Sequence, residues 1–533
     1  MSRTLLIGVD GGTFDLLDPL MSAGEMPELR RQVANGARAN LLSTPNPLTP
    51  PAWTSLMTGR SPGHHGIFDF VRVEAEGDYP QFRLATSGDI RCQTIWSLLS
   101  ERGLRCLSLN FPVMFPARPI SGCLLPGFVP RRHLARAGYP PDLGARLRKV
   151  PGLVFEDLAV DFEDERRSVQ VLETERMEEW IRFHIRREKQ WSIALRHLME
   201  TEPWDLAAVV FDGADKIQHA CWRFLDESLW NEASASAAEA KIRRLCLDYY
   251  RQLDELVAGA IRTAGPDTNV FIVSDHGFGA SDEIFYVNEW LSRAGHLRWR
   301  DDAPFAEDDY INTEGMKAPA FQFDWERTFA YTLTPGSNGI YLRSGPQGET
   351  DPGPRRDRII EGLLELRNGA GQPVVRRAMR REDVFPGPHS RLGADLTLVL
   401  RDFGFVSVLR SEVVVRPRRV ISGTHKPEGI FLASGPDIRP GIRLPDLSIL
   451  DVTPALLSSL RTSIPQAMEG SLPESAFRPS VLADRPPEEE MEGVGARDAE
   501  GPEYDSGPGE DAQMDPESEA QVLARLRALG YIE

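Results

Sequence analysis

Thr4-Leu-Leu-Ile-Gly-Val-Asp10 is a short apolar run that ends on an acid. It is too short for a helix and has no polar face, so it reads as a strand buried inside a sheet. Similar β-branched or apolar runs recur at Leu104–Asn110, Leu206–Phe211, Val270–Ser274, Leu396–Leu400 and Gly429–Ala433. Helical patterns or long insertions separate most of them, notably Thr174–Glu200, without Gly or Pro, and Ser234–Thr263. That alternation predicts an α/β fold: a doubly wound, mainly parallel sheet with helices on both faces.

Working outward, residues 1–284 read as the first part of this core. Residues 285–390, punctuated by Trp, Pro and Gly, read as an inserted cap, and 391–483 as the closing part of the core. Between Asp484 and Glu519 there are 14 acids and two arginines, so most of the net charge of −18 sits there. With its Pro and Gly content, 484–520 has the composition of a disordered linker. A short amphipathic helix, Gln521–Leu529, is expected within 521–533. An apolar fraction of 41% and a charged fraction of 26% are those of an ordinary globular chain. No run approaches the roughly 20 apolar residues of a membrane span. Met1-Ser2-Arg3 leads directly into the first strand, so no export leader is expected. Five cysteines without a CxxC pair fit a reducing compartment, and the cytoplasm is expected. The weakly acidic body disfavours a dedicated nucleic-acid partner. Oligomeric state is not legible.

Acids and histidines fall at the ends of these runs. Asp10 closes the first, Asp215 and His219 follow the run ending at Phe211, and Asp275-His276 closes another. His425 is read as lying in a turn before Gly429–Ala433. Loops beyond the carboxyl ends of parallel strands converge on one crevice. Three aspartates and three histidines delivered there form a mixed donor set that suits zinc, with manganese or iron as alternatives. Each residue also has a plain reading. Asp215 and His219, at i and i+4, pair on a helix face, and an aspartate after a strand forms turns.

Thr49 is followed by Pro50 and, ten residues on, by Gly59. This predicts a helix with Thr49 as its N-cap. The bland reading stops at the cap. The functional one notes that a hydroxyl at a helix N-terminus sits in positive potential, and that a nearby divalent cation makes it a competent nucleophile.

Taken in order, these segments resemble the type I phosphodiesterase/nucleotide pyrophosphatase family of the alkaline-phosphatase superfamily. The resemblance lies in Val9-Asp-Gly-Gly12, Thr49-Pro-Pro with Leu56-Met-Thr-Gly-Arg-Ser-Pro62 and His65-Gly66, Asp215-Lys-Ile-Gln-His219, Val273-Ser-Asp-His-Gly277 and Gly423-Thr-His425. It spans about Thr4 to Met468 and includes Ile449-Leu-Asp-Val-Thr-Pro-Ala-Leu-Leu457, similar to the superfamily's closing helix. It implies hydrolysis of a small-molecule phosphate ester, a phosphodiester or nucleotide-type pyrophosphate, by a threonine nucleophile and two divalent metal ions. Asp215, His219 and His425 would hold one ion, and Asp10, Thr49, Asp275 and His276 would surround the other. Threonine at position 49, with no CxPxR after it, speaks against a sulfatase. The family's phosphate-binding asparagine has phenylalanine, Phe70, in its place, and Asn110 is the candidate replacement donor. The alternatives are a phosphomonoesterase, phosphonate hydrolase or phosphomutase on the same core, or an inert member kept for binding. Deleting residues 484–519 is expected to leave turnover and thermal midpoint close to those of the full chain. A large fall in either shows that this segment packs on the body.

Overall fold

The computed structural model describes residues 3–74, 81–159, 174–305, 319–343 and 353–483. The acidic segment 484–520 and the expected helix Gln521–Leu529 lie outside them.

The main sheet is built as its strands demand. Leu206–Phe211 and Thr268–Val273 are buried at every residue, and Arg3–Val9 at all but Arg3. Strands apolar on both sides need cover on both sides. Side chains alternate between faces, so Leu5, Ile7 and Val9 enter one core while Leu6 enters the other. Helices Thr174–Thr201, Gly213–Leu225 and Ala237–Ala264 contribute to the first core; Thr49–Thr58, Ile95–Glu101 and Val452–Ser459 contribute to the second.

In spatial order the main strands run Ala37–Leu42, Glu428–Ser434, Thr268–Val273, Arg3–Val9, Leu206–Phe211, Cys106–Leu109 and Gly122–Leu125, with two short pieces beyond Ala37–Leu42. Arg3–Val9 lies parallel to Leu206–Phe211 and Thr268–Val273, and Leu206–Phe211 lies parallel to Cys106–Leu109. Glu428–Ser434 is antiparallel to both its neighbours. This topology has a direct consequence. The residues after Val9, Leu42, Leu109, Phe211 and Val273, and those before Glu428, all emerge at one edge of the sheet.

Two expectations are corrected. Leu396–Leu400 forms a strand, but in a separate four-stranded antiparallel sheet with Ala330–Tyr331, Gly339–Leu342 and Val375–Arg380. That sheet has its own apolar core around Phe285, Trp299, Phe329 and Leu398. The inserted unit therefore continues past residue 390, because an apolar run does not reveal which sheet it joins. Second, His425 is not in a turn. It lies in strand Val415–Lys426, which pairs antiparallel with Gly277–Phe285 and sets His425 opposite Phe278. This ribbon links the core of the four-stranded sheet, which Phe285 joins, to the edge of the main sheet.

Candidate metal centre

At that edge the backbone is shaped for close approach. Gly11 sits at φ 69°, and a Cβ there would lie 2.9 Å from Phe278 and 3.3 Å from the Cα of Asp215. Only glycine takes that conformation readily and leaves that space. The Gly11 N–H donates to Asp275 Oδ1 at 3.2 Å, tying the first turn to the next strand end. A Cβ on Gly423 would meet the Gln218 carbonyl at 2.2 Å, so glycine there lets the ribbon lie against helix Gly213–Leu225.

That helix presents Asp215 and His219 one turn apart on one face. His219 Nε2 lies 3.4 Å from Asp215 Oδ1, His425 Nε2 lies 3.0 Å from the same oxygen, and the two imidazole nitrogens are 3.0 Å apart. A second group comprises Asp10, Asp275 and His276, with His276 Nε2 at 3.5 Å from Asp10 Oδ1 and 3.3 Å from Asp275 Oδ2. The groups adjoin, since His276 Nε2 is 4.0 Å from Asp215 Oδ1. Within each group the donor atoms lie within 4.8 Å of one another.

Two features of the chain suit this arrangement to cations. His219 Nδ1 faces the Gly423 carbonyl at 3.2 Å, His276 Nδ1 the Gly277 carbonyl at 3.0 Å, and His425 Nδ1 the Pro47 carbonyl at 2.7 Å. Carbonyls only accept, so each Nδ1 carries the proton and each Nε2 offers its lone pair inward. Asp10 Oδ1 and Asp275 Oδ2 are buried without a hydrogen-bond partner among the described residues. Buried acceptors left in that state are costly, and a shared cation satisfies them.

Electrostatics agree. Burial, and then the neighbouring acids, push Asp10 and Asp275 well above the usual carboxylate range. Burial favours the neutral form of Asp215 too, but Lys216, His219 and His425 outweigh it and hold this carboxyl well below its ordinary value. Burial and His425 hold His276 far below 6.5, and burial brings His425 down to about 4 despite Asp215. Neutral imidazoles are the form that ligates metals.

Thr49 is fully buried, with Oγ1 3.4 Å from His276 Nε2. Its expected role as N-cap is corrected by one residue. Leu48 is the cap, with extended backbone, Thr49 is the first helical residue, and no side chain caps the helix. The Thr49 hydroxyl is therefore not spent on the helix end and faces the cluster. Trp53, one turn further on, donates to Asp10 Oδ2 at 3.3 Å.

All seven residues named as a metal and nucleophile set thus meet at one place. Asn110 does not join them. It ends strand Cys106–Leu109 at φ 62°, and its Nδ2 donates to the Val210 carbonyl at 2.8 Å and to Asp212 Oδ1 at 3.1 Å. Arg187, itself ion-paired with Asp212, donates to Asn110 Oδ1 at 3.4 Å. With both amide hydrogens used in the fold, Asn110 is a structural turn residue. Phe70 is buried against Phe128, ring centroids 5.9 Å apart. Sequence reasoning missed Lys216, whose Nζ donates to Asp215 Oδ2 at 2.7 Å and which is buried with it. A lysine directly after a candidate ligand aspartate in the first turn of a helix was the available signal.

A family model for type I phosphodiesterase / nucleotide pyrophosphatase matches residues 4–391. Among solved structures, mouse ectonucleotide pyrophosphatase / phosphodiesterase 5, an inactive variant in complex with AMP, is 15% identical at a TM-score of 0.50, covering 88% of this chain and 98% of that one. The human protein of the same name is 16% identical at 0.50, covering 88% and 97%. Phosphonoacetate hydrolase from Sinorhizobium meliloti 1021, in complex with phosphonoformate, is 16% identical at 0.50, covering 86% and 96%. At such identities these likenesses establish the fold. No curated protein matches the chain. Among the described residues no helix is long and apolar enough to cross a membrane.

Proposed function

The chain belongs to the type I phosphodiesterase / nucleotide pyrophosphatase family, and from that premise we propose that it hydrolyses phosphate esters at Thr49 beside a two-metal centre. The scissile bond is read as a phosphodiester or nucleotide-type pyrophosphate linkage of a small molecule. The observation that carries the reading is the position of the Thr49 hydroxyl, 3.4 Å from His276 Nε2 and outside any capping bond.

Asp215, His219 and His425 would hold one ion, and Asp10, Asp275 and His276, with Thr49 Oγ1, the other. Their mixed nitrogen and oxygen donors suit zinc first, then manganese or iron. When bound, the two ions supply Lewis acidity that neutralises charge on the phosphoryl oxygens and lowers the pKa of the hydroxyl. The remaining work falls to the protein. Helix Thr49–Thr58 holds Oγ1 at its N-terminus, where the helix dipole favours a phosphoryl oxygen; of its first three residues Thr49 alone carries a backbone N–H, because Pro50 and Pro51 have none. Oγ1 forms a bond to phosphorus as the bond to the leaving oxygen breaks, and the proton lost by Thr49 is balanced by one gained on the leaving group through solvent. Water then cleaves the phosphothreonine, returning the hydroxyl and releasing phosphate product. The Nδ1–carbonyl bonds of His219, His276 and His425 keep all three rings aimed throughout.

Metal analysis tests this first. Protein reconstituted with zinc or manganese is expected to hold about two ions per chain. A content that stays near zero with either metal removes the basis of the proposal.

A further inference from the structure

We propose that Lys216 is a substrate-binding residue that grips a non-bridging oxygen of the reacting phosphoryl group, opening the site to phosphoryl groups that carry two negative charges, such as a terminal phosphate or phosphonate. This rests on the two-metal, Thr49 reading above.

Lys216 follows Asp215 on helix Gly213–Leu225 and its ammonium is as buried as the carboxylate it pairs with. Its charge also acts on Asp10 in the second donor group. A buried lysine is expensive unless its charge is matched. Merely orienting Asp215 would not need a charge, because a neutral amide donates to a carboxylate as well. Once Asp215 shares its charge with a cation, the ammonium loses part of its electrostatic counterpart. The group of opposite sign that then enters is the phosphoryl anion. An ammonium has three N–H donors, so pairing with Asp215 and contact with a phosphoryl oxygen are compatible at one nitrogen.

The surroundings concentrate that role. The Phe128 ring lies 5.4 Å from Lys216 Nζ, and Phe70 packs against Phe128. Phe128 is held at φ 59°, a left-handed conformation rare for a large side chain, and such outliers cluster where structure is constrained for function. The wall beside Lys216 is therefore aromatic and offers no side-chain donor at Phe70 or Phe128. Asn110, whose amide hydrogens are both used within the fold, does not supply one. A low-polarity wall also strengthens the pull of the ammonium on a phosphoryl oxygen. That attraction doubles between a singly and a doubly charged group, so it favours the dianion.

The experiment compares full-length, metal-loaded parent, Lys216→Gln, Lys216→Met and Lys216→Arg. Rates are measured on paired aryl phosphate monoester and diester, and inorganic phosphate is titrated into each form in a Thr49→Ala background, where no turnover intervenes. Losing a charged hydrogen bond is worth about 10- to 100-fold. Phosphate affinity is expected to fall by about that factor in the Gln and Met variants and to recover in the Arg variant. The monoester-to-diester ratio of kcat/KM is expected to drop about tenfold. Metal content should match the parent. An unchanged phosphate affinity, or equal losses on both esters with a fall in metal content, overturns the proposal and leaves Lys216 as a residue acting through Asp215. If Gln fails to fold, Met, which keeps the aliphatic stem, carries the test. A parent that binds no metal, or a Thr49→Ala variant that turns over normally, instead sinks the underlying function.

Discussion

Thr49→Ala should lower turnover of a reactive aryl phosphodiester by several orders of magnitude while the protein stays folded and keeps its metal. Two roles were open for this residue, and they differ in size. A lost N-cap costs about 1 kcal/mol of stability and leaves chemistry intact. A lost nucleophile removes the covalent route, with effects near 10⁶ at the extreme. The structure has already weakened the first role, because Leu48 occupies the cap and Thr49 makes no capping bond. The stability change in Thr49→Ala should therefore be small, set by burial of one methyl and one hydroxyl. Thr49→Ser keeps the oxygen facing His276 and should restore measurable activity. An alanine variant within about tenfold of the parent, with equal metal content, ends the nucleophile assignment.

The sheet edge itself was legible because a chemical pattern and a topological one coincide. Runs such as Leu206–Phe211 carry no polar face, so they had to be interior strands, and acids placed just after them had to share an edge. Where the pairing is non-local the sequence is silent. Leu396–Leu400 has the same apolar character, but its partners are Gly339–Leu342 and Val375–Arg380, and nothing in the run itself distinguishes them from the core strands. His425 was legible as a ligand candidate but not as part of a strand, since its pairing with Phe278 depends on a ribbon whose halves are more than a hundred residues apart.

Side-chain roles divide in the same way. The tautomer of each histidine is set by a carbonyl contributed from elsewhere, Pro47, Gly277 or Gly423. Asn110 looked like a donor at the end of a strand, and only the positions of the Val210 carbonyl and Asp212 show its amide committed. Within Asp215-Lys-Ile-Gln-His219 the lysine carries no signal of its own, because a lysine on a helix is usually solvated. Its burial against Asp215 is a tertiary fact. The Thr49 helix start fell one residue early because proline is accepted at either of the first two helical positions, so Thr-Pro does not fix the register.

Asp215→Asn should produce two losses that separate cleanly. In the metal-free protein it removes the carboxylate that pairs with Lys216 at 2.7 Å, both groups being buried. Breaking a buried pair from one side costs about 3–5 kcal/mol, read as a lower midpoint in denaturant. The pH for this measurement follows from the direction of the shift. Burial raises the Asp215 pKa, but Lys216 and the histidines hold it well below 3.8, so the pair's contribution is complete above that value and fades only as pH falls through the folded value. Neutral pH reads it in full. The double variant Asp215→Asn/Lys216→Met should recover part of this stability, because neighbours that share an interaction are not additive. In the metal-loaded protein the second loss appears. Asp215 Oδ1 is the point on which His219 and His425 converge, so bound metal should fall from about two ions to about one, and turnover by several orders of magnitude. The double variant should not regain either. Recovery of turnover together with stability would mean that Asp215 serves the fold alone, and the centre would have to be built from the remaining residues.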